Sequence, residues 1–556
     1  MINTIKTEIK KLIELNHSIS EVIIEVPKKG DSDLAIPLFS YAKSLSKPLM
    51  EVSEMFQTII KTHHSVEKCV FVGGFLNIYL NRESLSLNIL NQVNTQKSLY
   101  GSKDHNHKVV VIDYSSPNIA KKFSVGHLRS TVIGNSLKLI YQKLGYKVVG
   151  INHLGDWGTQ FGRMIVAYKK WGNKELIQQN PITELQKLYV KFHNEAEHDE
   201  SLEQAGRDAF LKLEQNDPEY LELWKYFREE SLKEFMDMYK LLDVSFDSYN
   251  GEAFFNDKMD AVVDELDQKG LLVLDQGAMV VKVDENQPPV LIKRTDGATL
   301  YATRDLAALF YRYHTYHFDK MLYVVGNEQK LHFDNIKKVT DLMGYHFDIE
   351  HINFGLVLQD GKKMSTREGK TTQLLDVLKE AIDNAKTAIN EKNPNLENKD
   401  MVAKAVGIGA VIFNDLKNER HLDIDFNLSN MVKFEGQTGP YLQYSIVRIF
   451  SILKNIVFDK TEVNPSLYKE DVYFNIIKQI DQFPSIIERA GNDNTPSTIA
   501  RYLLSLSQEF NAFYAKVRIN TEDSVVRNTN VYLVQAILTI MVEGLRLLGI
   551  KHLEAM

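Results

Sequence analysis

Residues 109–162 constrain the fold of this chain more than any other stretch. They open with the apolar, β-branched run Val109 to Ile112, which is typical of a buried parallel strand. After a polar loop, a helical pattern starts at Gly126 and His127, and Lys147 to Ile151 forms a second strand. Ligands of such β-α-β units bind at the carboxyl end of the first strand, where the next helix presents free N–H groups to phosphate. The stretch therefore predicts a nucleotide site at the edge of a parallel sheet.

The residue types at the predicted turn suit a nucleotide. Gly126 has no side chain, so a base or a phosphate can approach its backbone closely. His127, in the first turn of the helix, can donate to a phosphoryl oxygen whose charge grows in a transition state. Lys121 and Lys122 lie in the loop just before it. A helix capped by Ser124 with a surface histidine behind it is the alternative that this short match leaves open.

Three longer strings of residues resemble a known family. They are Asp113-Tyr-Ser-Ser-Pro-Asn-Ile-Ala-Lys121, Gly126-His-Leu-Arg-Ser-Thr131 and Asn152-His-Leu-Gly-Asp-Trp-Gly-Thr-Gln-Phe-Gly162. Together they resemble the bacterial-type class I arginyl-tRNA synthetases. The class motif is His-x-Gly-His, and Ser124 stands where its first histidine would fall. A hydroxyl group can still donate to a phosphate, but it carries no positive charge.

The segment Lys293 to Ala308 predicts a site for a guanidinium group. Tyr301 and Asp305 are four residues apart, so on a helix both side chains face one site. A carboxylate beside a phenol offers paired charge-assisted hydrogen bonds and a further acceptor. On pattern alone, an aspartate that caps the helix or pairs with Arg304 is the more frequent case. The family pattern Tyr-x-Thr-Arg-Asp matches here, and the resemblance implies that Tyr301 and Asp305 line an arginine pocket.

The resemblance also implies the other residues of that pocket. Asn118 would meet the α-amino group of arginine, and Asp113 would offer a second carboxylate near its cationic side chain. Gln329 follows a predicted strand and would also hold the α-amino group, although a polar loop residue is the alternative there. The expected arginine-binding residues are Asp113, Ser116, Pro117, Asn118, Tyr301, Asp305 and Gln329.

A basic loop, Lys362 to Gly369, lies between a strand-like segment, Asn353 to Leu358, and a helical run from Leu374. Such a loop can close over phosphates and stabilise charge on phosphorus. It resembles the second class I motif, Lys-Met-Ser-Lys-Ser, with Thr366 in place of the second lysine. We expect Lys121 or Lys122 to supply the missing charge. The expected catalytic residues are His127, Lys363, Ser124 and Lys121, and the expected ATP-binding residues are Gly126, His127, Met364 and Ser365.

Residues 1–105 are predicted to form a small α+β domain. A first helix is followed by strand-like runs at Glu21 to Val26 and Val70 to Leu80, and the polar segment Gly101 to Lys108 serves as a linker. This part resembles the additional N-terminal domain of the family, which touches the tRNA elbow. A domain that only supports the core is an equally good interpretation of the sequence.

The rest of the chain is predicted to form two further domains. Residues 106–425 would be a Rossmann-type α/β catalytic domain with charged helices inserted at about 165–290, where Gln276-Gly277 is expected to end a hairpin. Residues 426–556 would be all α-helical, and the resemblance implies an anticodon-binding domain. Aromatic faces can stack on bases while arginine holds the backbone, although an aromatic stripe at helical spacing is more often core. The expected tRNA-binding residues are Tyr441, Tyr444, Arg448, Tyr514 and Arg518.

Composition bounds the class of protein. The length of 556 residues exceeds what one core usually serves, and 44% hydrophobic with 25% charged residues is ordinary for a soluble protein. A net charge of −7 argues against a protein that coats nucleic acid indiscriminately, but a local basic groove can still bind RNA. The one cysteine, Cys69, excludes a disulfide scaffold and a zinc site built on thiolates.

No signal-peptide layout stands at the N-terminus, so we expect a cytoplasmic protein. The most apolar late segment, Tyr532 to Ile550, is broken by Gln535, Glu543 and Arg546, so we expect a packed helix and no membrane span.

The resemblance implies an arginine–tRNA ligase. ATP would activate L-arginine to arginyl-adenylate, and the arginyl group would pass to the 3′ end of tRNA(Arg), with tRNA needed for activation as is usual in the family. ATP would arrive with Mg²⁺ as a substrate, with no bound zinc and no membrane, and the protein would be a monomer. Ser124 and Thr366 keep open a catalytically weak tRNA-binding paralogue with a regulatory role. A nucleotidyltransferase that adenylates a small acid without RNA is a third reading, which the long helical C-terminal part disfavours.

Overall fold

The computed structural model describes residues 1–17, 19–27, 31–294, 301–359, 361–363 and 373–556, and it describes no side chain for Gln359, Lys362 or Lys363. These residues form an α+β N-terminal part, a central parallel sheet flanked by helices, and an all-helical C-terminal part. The fold class predicted from the sequence is therefore confirmed.

The N-terminal part packs helices on one face of a small antiparallel sheet, with Ile9, Phe56 and Ile78 fully buried between them. The sheet order is β1-β3-β2. The elements are α1 (Ile2–His17), β1 (Leu34–Pro37), α2 (Phe39–Leu45), α3 (Leu49–Ile60), β2 (Val66–Val72), β3 (Phe75–Leu80) and α4 (Arg82–Gln96).

Both strand predictions in the N-terminal part are wrong in detail. Within the predicted strand at 21–26, the structure has only one bridge, between Glu25 and Ala35. Glu21 has a left-handed φ of 60°, and the N–H group of Ile23 donates to the hydroxyl of Tyr41 instead of to a strand partner. The predicted strand from Val70 to Leu80 is a hairpin, since Gly73 and Gly74 both adopt positive φ and turn the chain between β2 and β3.

The central sheet is parallel and has the order β10-β9-β4-β5. Strand β5 pairs with one edge of β4 and strand β9 with the other, so the connections on the two sides of β4 run in opposite directions across the sheet. The crevice at the carboxyl end of β4 is therefore a topological switch point, where ligands of open α/β sheets bind. The elements that build the sheet and its first crossover are β4 (Val109–Asp113), α5 (Val125–Lys143), β5 (Lys147–Ile151), β9 (Lys320–Tyr323) and β10 (Ile349–His351).

Helix α5 lies close against the sheet because Gly134 has no side chain. A Cβ atom at Gly134 would lie 2.3 Å from the ring of Tyr114, which follows β4 and is fully buried. The predicted β-α-β unit is confirmed, and Gly145, with φ of 83°, turns the chain from α5 towards β5.

The segment between β5 and β9 carries the inserted helices and the predicted hairpin at Gln276-Gly277, where both residues adopt positive φ between β6 and β7. The elements are α6 (Thr159–Trp171), α7 (Lys174–Gln179), α8 (Pro181–Ala196), α9 (Glu200–Glu214), α10 (Pro218–Leu242), α11 (Met259–Gln268), β6 (Leu272–Asp275), β7 (Ala278–Val281), β8 (Val290–Lys293) and α12 (Tyr301–Tyr316).

Downstream of β9 the chain becomes mostly helical. A short sheet of order β12-β11-β13 follows the parallel sheet, and only the last part of the predicted strand at 353–358 is strand. The elements are α13 (Lys330–Leu342), β11 (Val357–Gln359), β12 (Lys362–Lys363), α14 (Leu374–Lys392), α15 (Lys399–Leu416), β13 (Ile424–Asp425), α16 (Leu428–Met431), α17 (Gly439–Leu453), α18 (Asp471–Asn492), α19 (Ser497–Lys516) and α20 (Ser524–Leu547).

Within the described residues, α20 is the one helix long and apolar enough to cross a membrane. It packs instead against α4, α5, α17 and α19, and 61% of its most apolar window is buried inside the protein. Its Glu543 forms a buried ion pair of 2.9 Å with Lys143 at the end of α5. The helix is therefore a core helix that joins the C-terminal part to the central sheet, as the sequence predicted.

Candidate active site

The loop between β4 and α5 holds two serines in a strained conformation. Ser115 and Ser116 have φ of 73° and 47°, in the left-handed region that residues with a Cβ atom rarely adopt. Buried hydrogen bonds hold Ser115 there: its N–H donates to Ser130 Oγ at 2.8 Å, and its Oγ lies 2.9 Å from Tyr239 Oη. Thr131 Oγ1 donates to the same Ser115 Oγ at 2.8 Å. The packing around the loop thus fixes the turn that leads to Asn118.

Asp113, the last residue of β4, is buried and already has a cationic partner. Arg312 on α12 lies with Nη2 2.8 Å from Asp113 Oδ2, and Ser116 Oγ donates to Oδ1 at 2.9 Å. Both charged side chains are less than a tenth exposed. Asp113 therefore joins β4 to α12, and the role predicted for it as a second carboxylate for the substrate stays a prediction.

Pro117 and Asn118 form the floor of the loop against Gly155. The carbonyl of Pro117 accepts the N–H group of Gly155 at 3.1 Å. A Cβ atom at Gly155 would lie 2.0 Å from Asn118 Oδ1, so the Asn118 side chain occupies the space that a larger residue at 155 would take. The structure thus brings Ser116, Pro117 and Asn118 together at the carboxyl end of β4, as expected.

Ser124 and His127 share one hydrogen-bonded turn at the start of α5. The Ser124 N–H group donates to His127 Nδ1 at 3.0 Å, and Ser124 Oγ lies 3.0 Å from the same nitrogen. Because Nδ1 accepts from a backbone N–H, the neutral imidazole carries its proton on Nε2, which makes no hydrogen bond to the residues that the structure describes. Burial, and then the charge of Lys121, lower the pKa of His127 to about 4. His127 is therefore a neutral hydrogen-bond donor at physiological pH, which Ser124 holds in orientation.

Gly126 is exposed, and the protein leaves the space beside it open. A Cβ atom there would meet only Ser124 Oγ, at 3.5 Å, among the described residues. No packing contact in the described structure therefore requires glycine at this position. A flat group such as an adenine ring could lie against the exposed backbone.

The second basic loop lies largely outside the described residues. Met364, Ser365 and Thr366 are not described, nor is the side chain of Lys363, although its backbone pairs in β12 with Leu358 of β11. The far end of the loop is tied to the start of α5, since Gln373 bridges Ser124 and the Leu374 N–H donates to the Phe123 carbonyl at 2.9 Å. The chain that follows the undescribed part of the loop is therefore tied to the start of α5.

Arg129 connects α5 by hydrogen bonds to the segment at Gly355, which leads into β11 and this loop. Its guanidinium, 1% exposed, donates through Nε to Asp415 Oδ2 at 3.1 Å and through Nη1 to the Gly355 carbonyl at 2.7 Å. Two further carbonyls accept from it, those of Leu422 and Arg420. The sequence analysis did not single out Arg129, which lies only two residues after His127.

Tyr301 and Asp305 lie in the first turns of α12, on the other side of the crevice. Tyr301 is 68% exposed, and Asp305 accepts a hydrogen bond of 2.5 Å from His332 Nε2 on α13. Burial opposes the ionisation of Asp305, but the hydrogen bond from His332 and the nearby cationic groups outweigh it and hold its pKa below the ordinary value. The turn Asn327–Gln329 just before α13 leaves Gln329 exposed.

Glu252 is a further carboxylate at this pocket that the sequence did not reveal. Burial raises its pKa to about 7, against the charge of Arg304 and with the charges of Asp156 and Asp305 adding to the effect. Its charge is also the first cause that raises the pKa of Tyr301. The turn that begins at Glu252 also packs against α12, so Glu252 lies near Tyr301 and Asp305 although it is 49 positions before Tyr301 in the sequence.

Asp156 holds Glu252 in place. The buried Asp156 carboxylate accepts the Ala253 N–H at 2.9 Å and pairs with Arg228 Nε of α10 at 2.9 Å. A Cβ atom at Gly251 would lie 2.5 Å from both of its oxygens, so the chain passes directly over the carboxylate. No spacing rule in the sequence signals this contact, because it depends on how the inserted helices pack.

Some buried polar atoms at the pocket have no partner. Within the part of the chain that the structure describes, His153 Nδ1 and Arg304 Nε make no hydrogen bond. Arg312, Asp113 and Asp305 all act on the pKa of His153, so this ring lies at the same crevice. Orphan groups of this kind in a cleft are typical of a ligand site.

Four of the five residues predicted to bind tRNA form one cluster on α17 and α19, in which Tyr444 and Tyr514 are exposed and Tyr441 and Arg448 are half-buried. Arg448 lies over the ring of Tyr444, 5.1 Å from its centroid, and 5.9 Å from that of Tyr514. Asn511, which the sequence analysis missed, accepts from Arg448 Nη1 at 2.9 Å and donates to Tyr441 Oη at 2.8 Å. Arg518 is exposed just after α19. We call the first four residues with Asn511 the α17–α19 cluster.

Family models match nearly the whole chain. "Arginyl tRNA synthetase N terminal domain" matches residues 1–80, "tRNA synthetases class I (R), catalytic domain" matches residues 89–428, and "DALR anticodon binding domain" matches residues 442–556. The catalytic-domain match alone covers more than half of the chain.

Relatives of known identity match over nearly their full length. The chain is 50% identical over 543 residues to arginine–tRNA ligase 1 of Bacillus thuringiensis subsp. konkukian, covering 96% of this chain and 95% of the relative. It is 49% identical over 549 residues to the arginine–tRNA ligase of Enterococcus faecalis, covering 98% and 97%. The fold matches that of Thermus thermophilus arginyl-tRNA synthetase over all of both chains, with a TM-score of 0.84 at 24% identity. The chain therefore belongs to the arginyl-tRNA synthetase family of class I aminoacyl-tRNA synthetases.

Proposed function

We propose that this arginine–tRNA ligase binds ATP at the turn between β4 and α5. Arginine would bind in the crevice between α12 and the short helical turn Glu252–Lys258. The observation that carries the proposal is the packing of the turn at Glu252 against α12, which brings its carboxylate near Tyr301 and Asp305. Two carboxylates and a phenol match the donors of one guanidinium group. The matches to relatives give no support to a regulatory paralogue.

The carboxylates divide their roles according to their partners. Asp113 is neutralised by Arg312, and Asp156 by Arg228, so both act by holding the pocket in shape. Asp305 and Glu252 would bind the guanidinium directly, with Tyr301 as a further hydrogen-bond partner. Asn118 and Gln329 would hold the α-amino group. Compared with the sequence alone, this assignment moves the second guanidinium carboxylate from Asp113 to Glu252.

The first chemical step is an in-line displacement at phosphorus. A carboxylate oxygen of arginine attacks the α-phosphorus, the bond to the β-phosphate oxygen breaks, and pyrophosphate leaves while arginyl-adenylate forms. The nucleophile is already an anion, so the protein contributes positioning and charge stabilisation. His127 would donate from Nε2 to a phosphate oxygen, and Lys121, Lys363 and Ser365 would line the phosphates. A terminal ribose hydroxyl of the tRNA then takes the arginyl group, and AMP leaves.

The RNA contacts would lie on the C-terminal part. The α17–α19 cluster presents stacked aromatic and guanidinium groups, a combination that binds unpaired bases. We propose that tRNA(Arg) is the partner, that Mg²⁺ accompanies ATP without a zinc site in the protein, and that the enzyme acts as a cytoplasmic monomer.

Charging of an arginine tRNA by the purified protein tests the proposal. Wild-type protein should attach arginine, and Asp305→Asn should lower kcat/KM for arginine by about 10²-fold, because a charge-assisted contact to a buried guanidinium is lost. Asp400→Asn, at an exposed aspartate on α15, is the matched control and should charge normally. Equal arginine use by Asp305→Asn and wild type would contradict the proposed pocket, and no charging by wild type would contradict the function.

A further inference from the structure

His332 is a polar side chain at the pocket to which the mechanism above gives no role. It lies in the first turn of α13, and its Nε2 is 2.5 Å from Asp305 Oδ2. Each side chain is about one-quarter exposed, at 27% and 25%. Because a carboxylate can only accept, His332 Nε2 is the donor. One oxygen of Asp305 is therefore occupied and oriented before any substrate arrives.

This hydrogen bond joins the two elements that would hold opposite ends of arginine. Asp305 and Tyr301 are on α12 and face the guanidinium side. Gln329, in the turn that leads into α13, is three residues before His332 and would hold the α-amino group. The distance between the two ends of an amino acid is set by its number of methylene groups. A fixed link between α12 and α13 would therefore hold the two ends of the pocket at a distance that suits one length of side chain.

We propose that His332 is a positioning residue that fixes Asp305 relative to Gln329 and so makes the pocket selective for a guanidino acid of the chain length of arginine. The inference rests on the proposed function, since it assumes that Asp305 binds the guanidinium. His332 needs no contact with the substrate, because it acts through Asp305.

The packing of α13 rests mainly on residues other than His332, whose ring makes one edge contact with its neighbour Phe333, with centroids 5.2 Å apart. The neighbouring Phe333 is buried and packs on Tyr323, with ring centroids 4.5 Å apart, and on His351, with centroids 5.0 Å apart. Ile336 and Val339 are fully buried along the same helix. A substitution at His332 should therefore leave α13 on the sheet, and a loss of selectivity would not be a consequence of unfolding.

The test compares His332→Ala and His332→Gln with wild type in tRNA charging. Glutamine keeps an N–H donor of similar reach, so it is the conservative rescue. Lys337→Ala, at an exposed site on the same helix, is the matched control. The substrates are arginine and its homologues with one methylene group more and one fewer, with ATP held in excess. Thermal melting of each variant checks that the fold is kept.

We expect His332→Ala to raise KM for arginine about 10-fold, with kcat within about twofold and KM for ATP unchanged, because an oriented charge-assisted contact is lost. The preference for arginine over the two homologues should fall by about the same factor, and His332→Gln should restore most of both. Unchanged selectivity in His332→Ala would overturn the inference, as would a fall in kcat alone. If Asp305→Asn also keeps its use of arginine, the proposed function fails as well. If Asp305→Asn loses its use of arginine but His332→Ala keeps the wild-type KM and selectivity, the inference alone fails.

Discussion

The crevice at the end of β4 and the α17–α19 cluster both gather polar and aromatic side chains, but they hold them differently. At the base of the crevice, buried hydrogen bonds and ion pairs fix several polar groups: Ser115 accepts from Thr131, and Asp113 pairs with Arg312. In the α17–α19 cluster, Tyr444 and Tyr514 are 37% and 41% exposed and are held by ring contacts with Arg448, Phe434 and Phe510.

The difference matches the work proposed for each region. A displacement at phosphorus needs groups held in place before the substrate binds, since misplacement by an ångström costs a large part of the rate. Binding of unpaired bases tolerates adjustment, because stacking accepts any base. Substitutions in the crevice should therefore change stability and the chemical step, whereas substitutions in the cluster should change RNA affinity.

The largest expected effect is on the stability that the buried ion pair between Arg129 and Asp415 contributes. Arg129→Met leaves Asp415 buried without its cation and should destabilise the protein by about 3–5 kcal/mol. Arg163→Met removes an ion pair with Glu203 in which both side chains are about 30% exposed, and it should cost no more than about 1 kcal/mol. Calorimetric melting of the two variants measures the difference, and equal shifts would show that the crevice is not held by its buried contacts.

The next effect concerns the phosphate charge. Lys121 acts on the pKa of His127, whereas Lys122 acts on that of Glu234, so the structure favours Lys121 as the lysine at the phosphates. Lys121→Ala should slow arginine activation by roughly 10²-fold, because a cation near the developing charge is lost, with its melting temperature unchanged. Lys122→Ala is the control, measured by pyrophosphate exchange in the presence of tRNA. A lower melting temperature without a slower activation rate would contradict the assignment of Lys121 to the phosphates.

On the cluster, Arg448→Ala should raise KM for tRNA by roughly 10- to 100-fold, because both its stacking on Tyr444 and Tyr514 and its bond to Asn511 are lost. KM for arginine and the melting temperature should stay at wild-type values. Lys454→Ala, an exposed cation just after α17, is the comparison. An unchanged KM for tRNA would remove the cluster from the RNA interface.

The smallest effect is a pH dependence that belongs to the crevice. The pKa of Glu252 is raised to about 7, and its ionised form is the one that binds a cation, so arginine affinity should be full above pH 7 and fall below it. KM for arginine should rise about 10-fold between pH 8 and pH 6, and the rise should vanish in Glu252→Gln. His127, with a pKa of about 4, and Asp305, with a lowered pKa, do not titrate in that window. A slope that persists in Glu252→Gln would assign the effect elsewhere.

Local patterns predicted most of the framework. The strand at Val109, the helix after Ser124 and the hairpin at Gln276-Gly277 follow from periodicity and turn residues, and the structure has all three. The predicted strand at 21–26 failed because its backbone bonds to Tyr41, a tertiary contact that no local pattern contains. The apolar pattern from Val70 to Leu80 predicts one strand, but the chain turns at the two adjacent glycines, Gly73 and Gly74.

The site was predictable only where one segment carries several of its residues. Tyr301 and Asp305 share a helical face, and Ser116 to Asn118 share a turn, so their spacing or their resemblance to the family singles them out as candidates. Glu252 and His332 reach the pocket because Asp156 and Arg228 fix one turn and α13 packs beside α12. Such residues are found from packing, since no spacing in the sequence relates Glu252 to Asp305.

A crystal structure of the protein with arginine and a non-hydrolysable ATP analogue would test the central claim most directly. We predict guanidinium nitrogens at about 2.7–3.2 Å from carboxylate oxygens of Asp305 and Glu252 and from the Tyr301 hydroxyl, with the α-phosphate beside His127 Nε2. A guanidinium bound to Asp113 in exchange for Arg312, or bound away from α12, would contradict the account.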